Sequence, residues 1–432
     1  MTVVNDHSTT SAEAFELIAR HLSPHKAEAF RAFGIDLVQG RREGVRIWDL
    51  DGRDYLNCRS SGGVFNFGHH PEFAVEALAT AVREHDMGDW LLPSLRRAEG
   101  AAALARLLPE PLEYTFFTAS GAEAVEVACK LARSVTRRTE FVCAEHGYHG
   151  HVGFSLAMDD PPLSDRYRPL TPGIVRVPFG DARALEQAIG EDTAAVIMET
   201  IPATGGYLVP EQGYFAEMRR LCDERGALLI LDEVQAGLGR TGRVWAFEHF
   251  GVVPDVLVTG KGTSAGVYPI AACCFGDRVE AHFAEDPFFH PSSYAGSELG
   301  ARVIEAVVER YQDPELLPHV NEVGARLRAG LEALVERHPD RLVEVRGLGL
   351  MLALETRSDA LGFELTKECF RHGLLAIFAF NRQSALQVMP PLTITAEELD
   401  EVLRRLGAAV AALTPPEDGA ALAESPSARG SR

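Results

Sequence analysis

The 432-residue chain carries 62 acidic against 42 basic residues, for a formal net charge of −20, and 46% of it is hydrophobic. That apolar content supports a large domain plus a smaller one, while the charge opposes binding to nucleic acid or to an anionic membrane. No apolar run is long enough to span a bilayer and no basic-then-apolar leader is present, and the seven cysteines, odd in number and without a CxxC pair, read as reduced core residues of a cytoplasmic protein.

Residues 1–10 are polar and read as a loose terminus. Phe15, Leu17, Ile18 and Leu22, followed by Phe30 and Phe33, predict two short amphipathic helices separated at Pro24. Val45 to Asn57 reads as a hairpin turning at Asp51-Gly52. The glycines of Arg59-Ser60-Ser61-Gly62-Gly63-Val64-Phe65 fit either close backbone approach to a ligand or an ordinary turn. Helices are predicted over 71–85 and 94–107.

Thr115-Phe116-Phe117 predicts a strand that runs into Thr118-Ala119-Ser120-Gly121-Ala122-Glu123. Ser120 and Glu123 have capping-box spacing, and Val125, Ala128, Cys129 and Ala132 mark one helix face behind them. Strand, small-residue loop and helix N-terminus in succession make an anion site; the plainer reading is a well-capped helix. A strand over Phe141–Ala144 leads into His146-Gly147-Tyr148-His149-Gly150-His151. The three histidines invite a metal reading, which is the disfavoured one here. A further strand over Ala194–Met198 ends at Glu199, and a helix is predicted from Tyr214 to Glu224.

The most informative stretch is Leu228 to Gly262. Leu228-Leu229-Ile230-Leu231 is a short apolar run ending in Asp232, and Val256-Leu257-Val258 is a second that ends near Lys261, with Gly237, Gly239, Gly242 and Pro254 marking turns between them. Such runs suit fully buried strands of an α/β sheet, whose carboxyl ends are where these sheets hold ligands. Asp232 and Lys261 are therefore candidates for the same crevice. A lysine in a dry pocket loses its proton readily and attacks carbonyls, while a buried carboxylate requires a cation opposite. Pyridoxal phosphate supplies both partners, an aldehyde for the lysine and a ring nitrogen for the acid. Further on, Ser264–Tyr268 reads as a flexible loop and 269–275 as a buried strand. Helices are predicted over 298–311, 317–338 and 395–413, with strands around Gly347 and Gly349. From Thr414 onward the chain is rich in Pro, Ser, Glu and Ala and reads as disordered.

DEVQAGLGRTG followed by GKG resembles the class III aminotransferases of the fold-type I pyridoxal-phosphate superfamily. The resemblance continues in order through WDLDGRDYLN, FGHHP, TASGAEAVEVACKLAR, HGYHG, VIMETIPATGG, SSYAGSE, VRGLGLM and VMPPLTI, from about residue 45 to about residue 410. It implies an α/β fold: a large domain on a mostly parallel seven-stranded sheet flanked by helices, plus a smaller α+β domain. The implied division is residues 1–62 as N-terminal arm and part of the small domain, 63–312 as the cofactor-binding domain, 313–413 as the C-terminal small domain and 414–432 as a tail. The resemblance places the cofactor phosphate on Ser120, Gly121 and Ala122, Tyr148 flat on the ring, Glu199 near it, Asp232 on the ring nitrogen, Gln235 on the ring oxygen and the aldehyde carbon on Lys261. Ser293, where the family usually has threonine, is implied to reach the neighbouring subunit's cofactor phosphate, which makes the protein a homodimer with its active site at the subunit interface. The implied reaction is amino transfer between an amine or amino acid donor and a ketone or aldehyde acceptor, in specialised biosynthesis. The same machinery also runs aminomutases, epimerases and decarboxylases. A non-catalytic cofactor-binding scaffold is disfavoured because Lys261, Asp232, Gln235 and Ser120 are all present.

Two positions depart from the family pattern. Gln387 stands where many members have a carboxylate-binding arginine, and Thr204 stands where they have the glutamate that pairs with it. Either the substrate presents no carboxylate there, or another cation such as Arg59 or Arg382 takes over. Phe65, Trp90, Tyr148 and Phe378 are candidate apolar walls, with a core role the plainer reading for Trp90 and Phe378.

Overall fold

The computed structural model describes residues 9–161 and 163–414; most of the polar start and nearly all of the tail lie outside these. The first helix, Ser11–His21, is closed by a reciprocal Thr10–Glu13 capping box, and Pro24 occupies the opening turn of the second, Pro24–Ala32, where its missing N–H is not needed. Strands β1 (Gln39–Glu43), β2 (Arg46–Asp49) and β3 (Asp54–Asn57) follow. The β2–β3 hairpin turns as the sequence predicts, with the Asp49 carboxylate accepting from the backbone N–H groups of Asp51 and Arg53.

The central sheet has seven strands: β4 (Tyr114–Thr118), β5 (Glu140–Ala144), β6 (Ile174–Val177), β7 (Thr193–Glu199), β8 (Leu228–Asp232), β9 (Val256–Thr259) and β10 (Ala271–Phe275), in the spatial order β4-β10-β9-β8-β7-β5-β6. Every residue of β7, β8, β9 and β10 is buried, which is why these strands read as unbroken apolar runs rather than alternating ones. The pleat still sorts them. Val196, Met198, Leu229, Leu231 and Leu257 point into one core, and Ala195, Ile197, Leu228, Ile230 and Val258 into the other. Helix Gly121–Thr136 covers the second face with Val125, Ala128, Cys129 and Ala132 among its buried residues.

The chain then forms β11 (Leu342–Leu348), β12 (Met351–Thr356), β13 (Leu374–Leu375), β14 (Ile377–Ala379) and β15 (Arg382–Val388). Four of these make a sheet in the order β11-β12-β15-β14, and β13 instead joins β3 in parallel. Helices Leu316–Arg337, Asp359–Arg371 and Ala396–Ala412 contribute buried leucines and valines to this third core, which also takes in Val45 and Leu56 from the early strands. All seven cysteines are buried and unpaired.

Candidate active site

β10 runs antiparallel to both β4 and β9, so β4 runs in the same direction as β5 to β9. Thr118, Ala144, Glu199, Asp232 and Thr259 therefore end their strands at one edge of the sheet, and the segments that follow them converge there. A cavity of about 190 Å³ at this edge is lined by Gly121, Ala122, Tyr148, Glu199, Asp232, Gln235 and Lys261, together with His149, Gly150 and Val234. A second cavity of about 320 Å³ shares Ser120, Gly121 and Lys261 with the loop through Ser264 and Tyr268. Eight of the nine sequence-predicted residues thus meet in two adjoining spaces. The ninth, Ser293, is exposed and lines neither.

Lys261 lies just past β9 with a backbone φ of +45°, a left-handed conformation costing about 1–2 kcal/mol for a residue with a side chain. Its Nζ donates to Gln235 Oε1 at 3.0 Å, and Gln235 in turn donates to the Tyr207 hydroxyl at 3.3 Å. Burial pulls the Lys261 amine below its ordinary pKa; Asp232 and Glu199 act against this, and Arg59 acts with it. Gly62 explains how a backbone comes this close: a methyl group at that position, where φ is +69°, would sit 3.2 Å from Nζ and 3.0 Å from Gln235 Oε1.

Asp232, 5% exposed, accepts from the Val234 backbone N–H at 3.0 Å and from His149 Nδ1 at 2.8 Å. Facing a carboxylate, Nδ1 carries the ring proton. Burial opposes charging of His149, but the Asp232 carboxylate outweighs it, and the net shift is upward. His149 is the residue the sequence reading missed. Of HGYHGH it selected the tyrosine and treated the histidines together as a weak metal motif. In the structure they diverge, each to its own acid: His146 to Asp160 at 2.5 Å, His149 to Asp232 and His151 to Asp159 at 3.2 Å. The available signal was the glycine that follows His149, since Gly150, at φ +115°, lets the loop press against Ala122 where a methyl would fall 2.5 Å from that residue's Cβ.

Glu199 accepts from the backbone N–H of Tyr148 at 2.8 Å and of Ala203 at 3.0 Å, so one carboxyl fixes both the aromatic wall and the turn after β7. Burial pushes its pKa up to about 7, with Asp232 adding to the effect and His149 opposing it. At the head of helix Gly121–Thr136, Ser120 caps as expected by accepting from Glu123 N, but Glu123 does not return to Ser120. It accepts from Ala119 N at 2.8 Å and pairs with His290 at 3.2 Å. The first-turn N–H groups of Gly121 and Ala122 have no partner within a helix and border the cavity.

The departing positions are neutral in the structure as well. Thr204 donates to the His146 carbonyl at 2.9 Å and accepts from Asn381, and Gln387 donates to the Ala203 carbonyl at 2.8 Å. Arg382 is already committed, its Nε and a terminal nitrogen both 3.0 Å from Glu355, which Arg346 also contacts. Trp90 lines a separate space with Phe116 and Phe288, and Phe378 packs with Phe33 and Phe363. Ser264–Tyr268, expected to be a flexible loop, is tied by Ser264 Oγ to the Lys261 carbonyl at 2.6 Å and the Gly266 N–H at 3.0 Å. A larger cavity of about 710 Å³ among Arg53, Arg404 and Arg405 contains no lysine, and its arginines Arg53 and Arg405 are ion-paired with Asp36 and Asp54.

The comparisons with known proteins agree with this geometry. The family model described as aminotransferase class-III matches residues 31–410. An uncharacterized aminotransferase from Archaeoglobus fulgidus is 45% identical over 92% of this chain and 94% of its own length, and a putrescine aminotransferase from Pectobacterium atrosepticum is 36% identical over 85% and 81%. Among solved structures, a thermostable (S)-enantioselective omega-transaminase from Thermomicrobium roseum superposes with a TM-score of 0.86 at 29% identity, covering 94% of this chain and 99% of that one. The ornithine aminotransferase of Toxoplasma gondii does so with a TM-score of 0.87 at 26% identity, covering 94% and 96%. Matched over most of its length by the family model and by close relatives, the chain belongs to the class III aminotransferases, enzymes that use pyridoxal 5'-phosphate to exchange amino groups between small-molecule amines and carbonyl compounds.

Proposed function

We propose that the cavity around Lys261 holds the cofactor and that this chain's reaction is transamination between an amine or amino acid donor and a ketone or aldehyde acceptor. The residues fit the group: a half-buried lysine with a weakened hold on its proton, a buried acid and an aromatic side chain lining the same cavity, and N–H groups without helix partners at a helix N-terminus. When bound, pyridoxal phosphate supplies an electron sink for a substrate carbanion. Lys261 would hold the group's aldehyde carbon, and its amine, whose pKa is lowered, is the group in the cavity suited to take up and return a proton as general base and acid. Asp232 would face the ring nitrogen, and His149 and the Val234 N–H, each hydrogen-bonded to its carboxylate, hold it in place. Tyr148, which lines the cavity, would stack on the ring and help exclude water. Ser120, Gly121 and Ala122 would receive the phosphate at the helix N-terminus, Gln235 would bond the ring oxygen, and Glu199 holds Tyr148 in place through its backbone N–H.

The proposed organisation has residues 1–62 as arm and part of a small domain, 63–312 as the cofactor-binding domain and 313–413 as the rest of the small domain. The exposed position of Ser293, outside its own chain's cavity, supports a homodimer in which it completes the partner's phosphate site. The seven buried free cysteines support a cytoplasmic setting, and no helix among the described residues is long and apolar enough to cross a membrane.

The single observation that carries the reading is half-buried Lys261 lining one cavity with Asp232 at one end of a mostly parallel sheet. Borohydride reduction of the purified holoenzyme followed by peptide mapping is expected to find the cofactor fixed on Lys261. An unmodified Lys261, or an absorbance band that no amine donor bleaches, overturns the proposal. Product analysis with and without an acceptor separates transamination from mutase or decarboxylase chemistry.

A further inference from the structure

A carboxylate is held most strongly by a cation free to pair with it, so the fate of each nearby cation bears on the substrate class. Arg240 is fully buried and donates to the carbonyls of Leu350 and Pro390 and to Asn66 Oδ1. Arg382 and Arg346 converge on the buried Glu355, whose carboxyl is held below the usual range although burial opposes this, with Arg346 and Ser384 bonding it and both arginines favouring its charge. Gln387 and Thr204 are uncharged, and both are engaged with backbone carbonyls.

Arg59 differs from all of these. Its backbone is fixed at both ends: its N–H donates to Asn57 Oδ1 at 3.1 Å, and its carbonyl accepts from Gly62 N at 2.9 Å. Its side chain is exposed and has no hydrogen-bond or ion-pair partner among the described residues. The turn it opens carries Ser60 and Ser61 at φ +46° and +48°, then Gly62 and Gly63 at +69° and +104°. Four successive left-handed residues fold the segment back on itself, and a side chain's breadth is all that separates Gly62 from the Lys261 amine. The guanidinium charge reaches both Lys261 and Tyr207, groups on two sides of the Gln235 amide.

We propose that Arg59 is the residue that binds the substrate carboxylate, so that the enzyme's physiological substrates are amino acids and their oxo-acid counterparts rather than uncharged amines. The proposal rests on the transaminase reading of the Lys261 cavity. A guanidinium fork takes a carboxylate through two parallel charge-assisted bonds, about twice as strong as the neutral ones Gln387 can offer. An arginine without an acid partner gives up nothing to make them. The strained turn sets where the guanidinium starts, and the exposed side chain leaves the carboxylate room to enter.

The test uses the holoenzyme and its Arg59→Gln, Arg59→Lys and Arg382→Gln variants. Binding of glutarate, which cannot react, is followed by calorimetry, and single half-reactions with L-glutamate and with 1-phenylethylamine are followed by bleaching of the cofactor band. The expected result is that Arg59→Gln weakens glutarate at least tenfold and lowers the glutamate to phenylethylamine ratio of kcat/KM at least tenfold, mainly through KM. Arg59→Lys recovers most of both, and Arg382→Gln moves neither. Wild-type protein that binds no glutarate, or an Arg59→Gln variant whose ratio is unchanged, overturns the assignment while leaving transamination intact. Absence of a cofactor band, or of any bleaching in the wild type, instead removes the transaminase reading itself.

Discussion

Glu233 sits beside the proposed ring acid yet takes no part in the cavity. It is 1% exposed and accepts from the Thr200 hydroxyl at 2.5 Å and from the backbone N–H groups of Ala246 and Phe247 at 2.8 and 2.9 Å. Burial nevertheless pushes its pKa from 4.5 up to about 7. The native state therefore binds more protons than the unfolded chain between those two values, and the associated stability is complete below about pH 4.5 and lost as pH rises through about 7, at about 1.4 kcal/mol for each tenfold difference in proton affinity. Glu199 adds a loss of the same sign in the cofactor-free protein. Urea melts of the apoprotein at about pH 5 and about pH 8 should show a smaller gap for Glu233→Gln than for wild type; an equal gap rejects the assignment. At His149, removal of the imidazole leaves a buried carboxylate short of a donor. His149→Ala should slow the half-reaction about 10- to 100-fold while the cofactor still binds, and the pH dependence of the residual rate should shift, which a purely packing role would not produce.

At the scale of elements, the fold was legible wherever one physical demand dominated. Strands β7 to β10 had to be apolar throughout, and helix Ala396–Ala412 announced itself by its capping box and inward leucines. Asp232 and Lys261 were legible for the same reason, since a charged residue ending an apolar run is costly without a use. What stayed hidden were pairings set by tertiary contact. Nothing local shows that Arg382 faces Glu355 across β12 and β15, that Glu123 turns to His290 instead of closing its capping box, or that His149 rather than His146 lies under Asp232. Arg240 is the clearest case, because its side chain joins three segments distant in sequence, at Asn66, Leu350 and Pro390. Burial lowers its pKa to about 10, so it stays charged at neutral pH. Arg240→Met should destabilise the protein by about 2–4 kcal/mol by orphaning those acceptors, read as a fall in urea midpoint with the slope unchanged.

For the whole molecule, the proposed dimer makes a distinctive prediction. Lys261→Ala lacks the nucleophile, while Ser293→Asp presents a carboxylate to the partner's phosphate, so each homodimer should be inactive. In a mixed dimer one site combines an intact Lys261 with an intact Ser293 from the neighbour. Unfolding and refolding an equimolar mixture should restore roughly a quarter of wild-type activity from statistical reassortment, whereas a site complete within one chain would give none from Lys261→Ala and no gain on mixing. The reversed strand β10 has a further consequence, for how the protein is made. Because β10 lies between β4 and the rest of the sheet, Phe116 and Phe117 leave the ribosome roughly 150 residues ahead of β10, the one strand among the described residues that pairs with them. At about 5–20 residues per second the nascent chain waits roughly ten to thirty seconds with that edge uncovered. The strand that leads into the proposed phosphate seat thus gains its partner only once translation has passed Lys261, and over that interval the growing polypeptide carries an open edge.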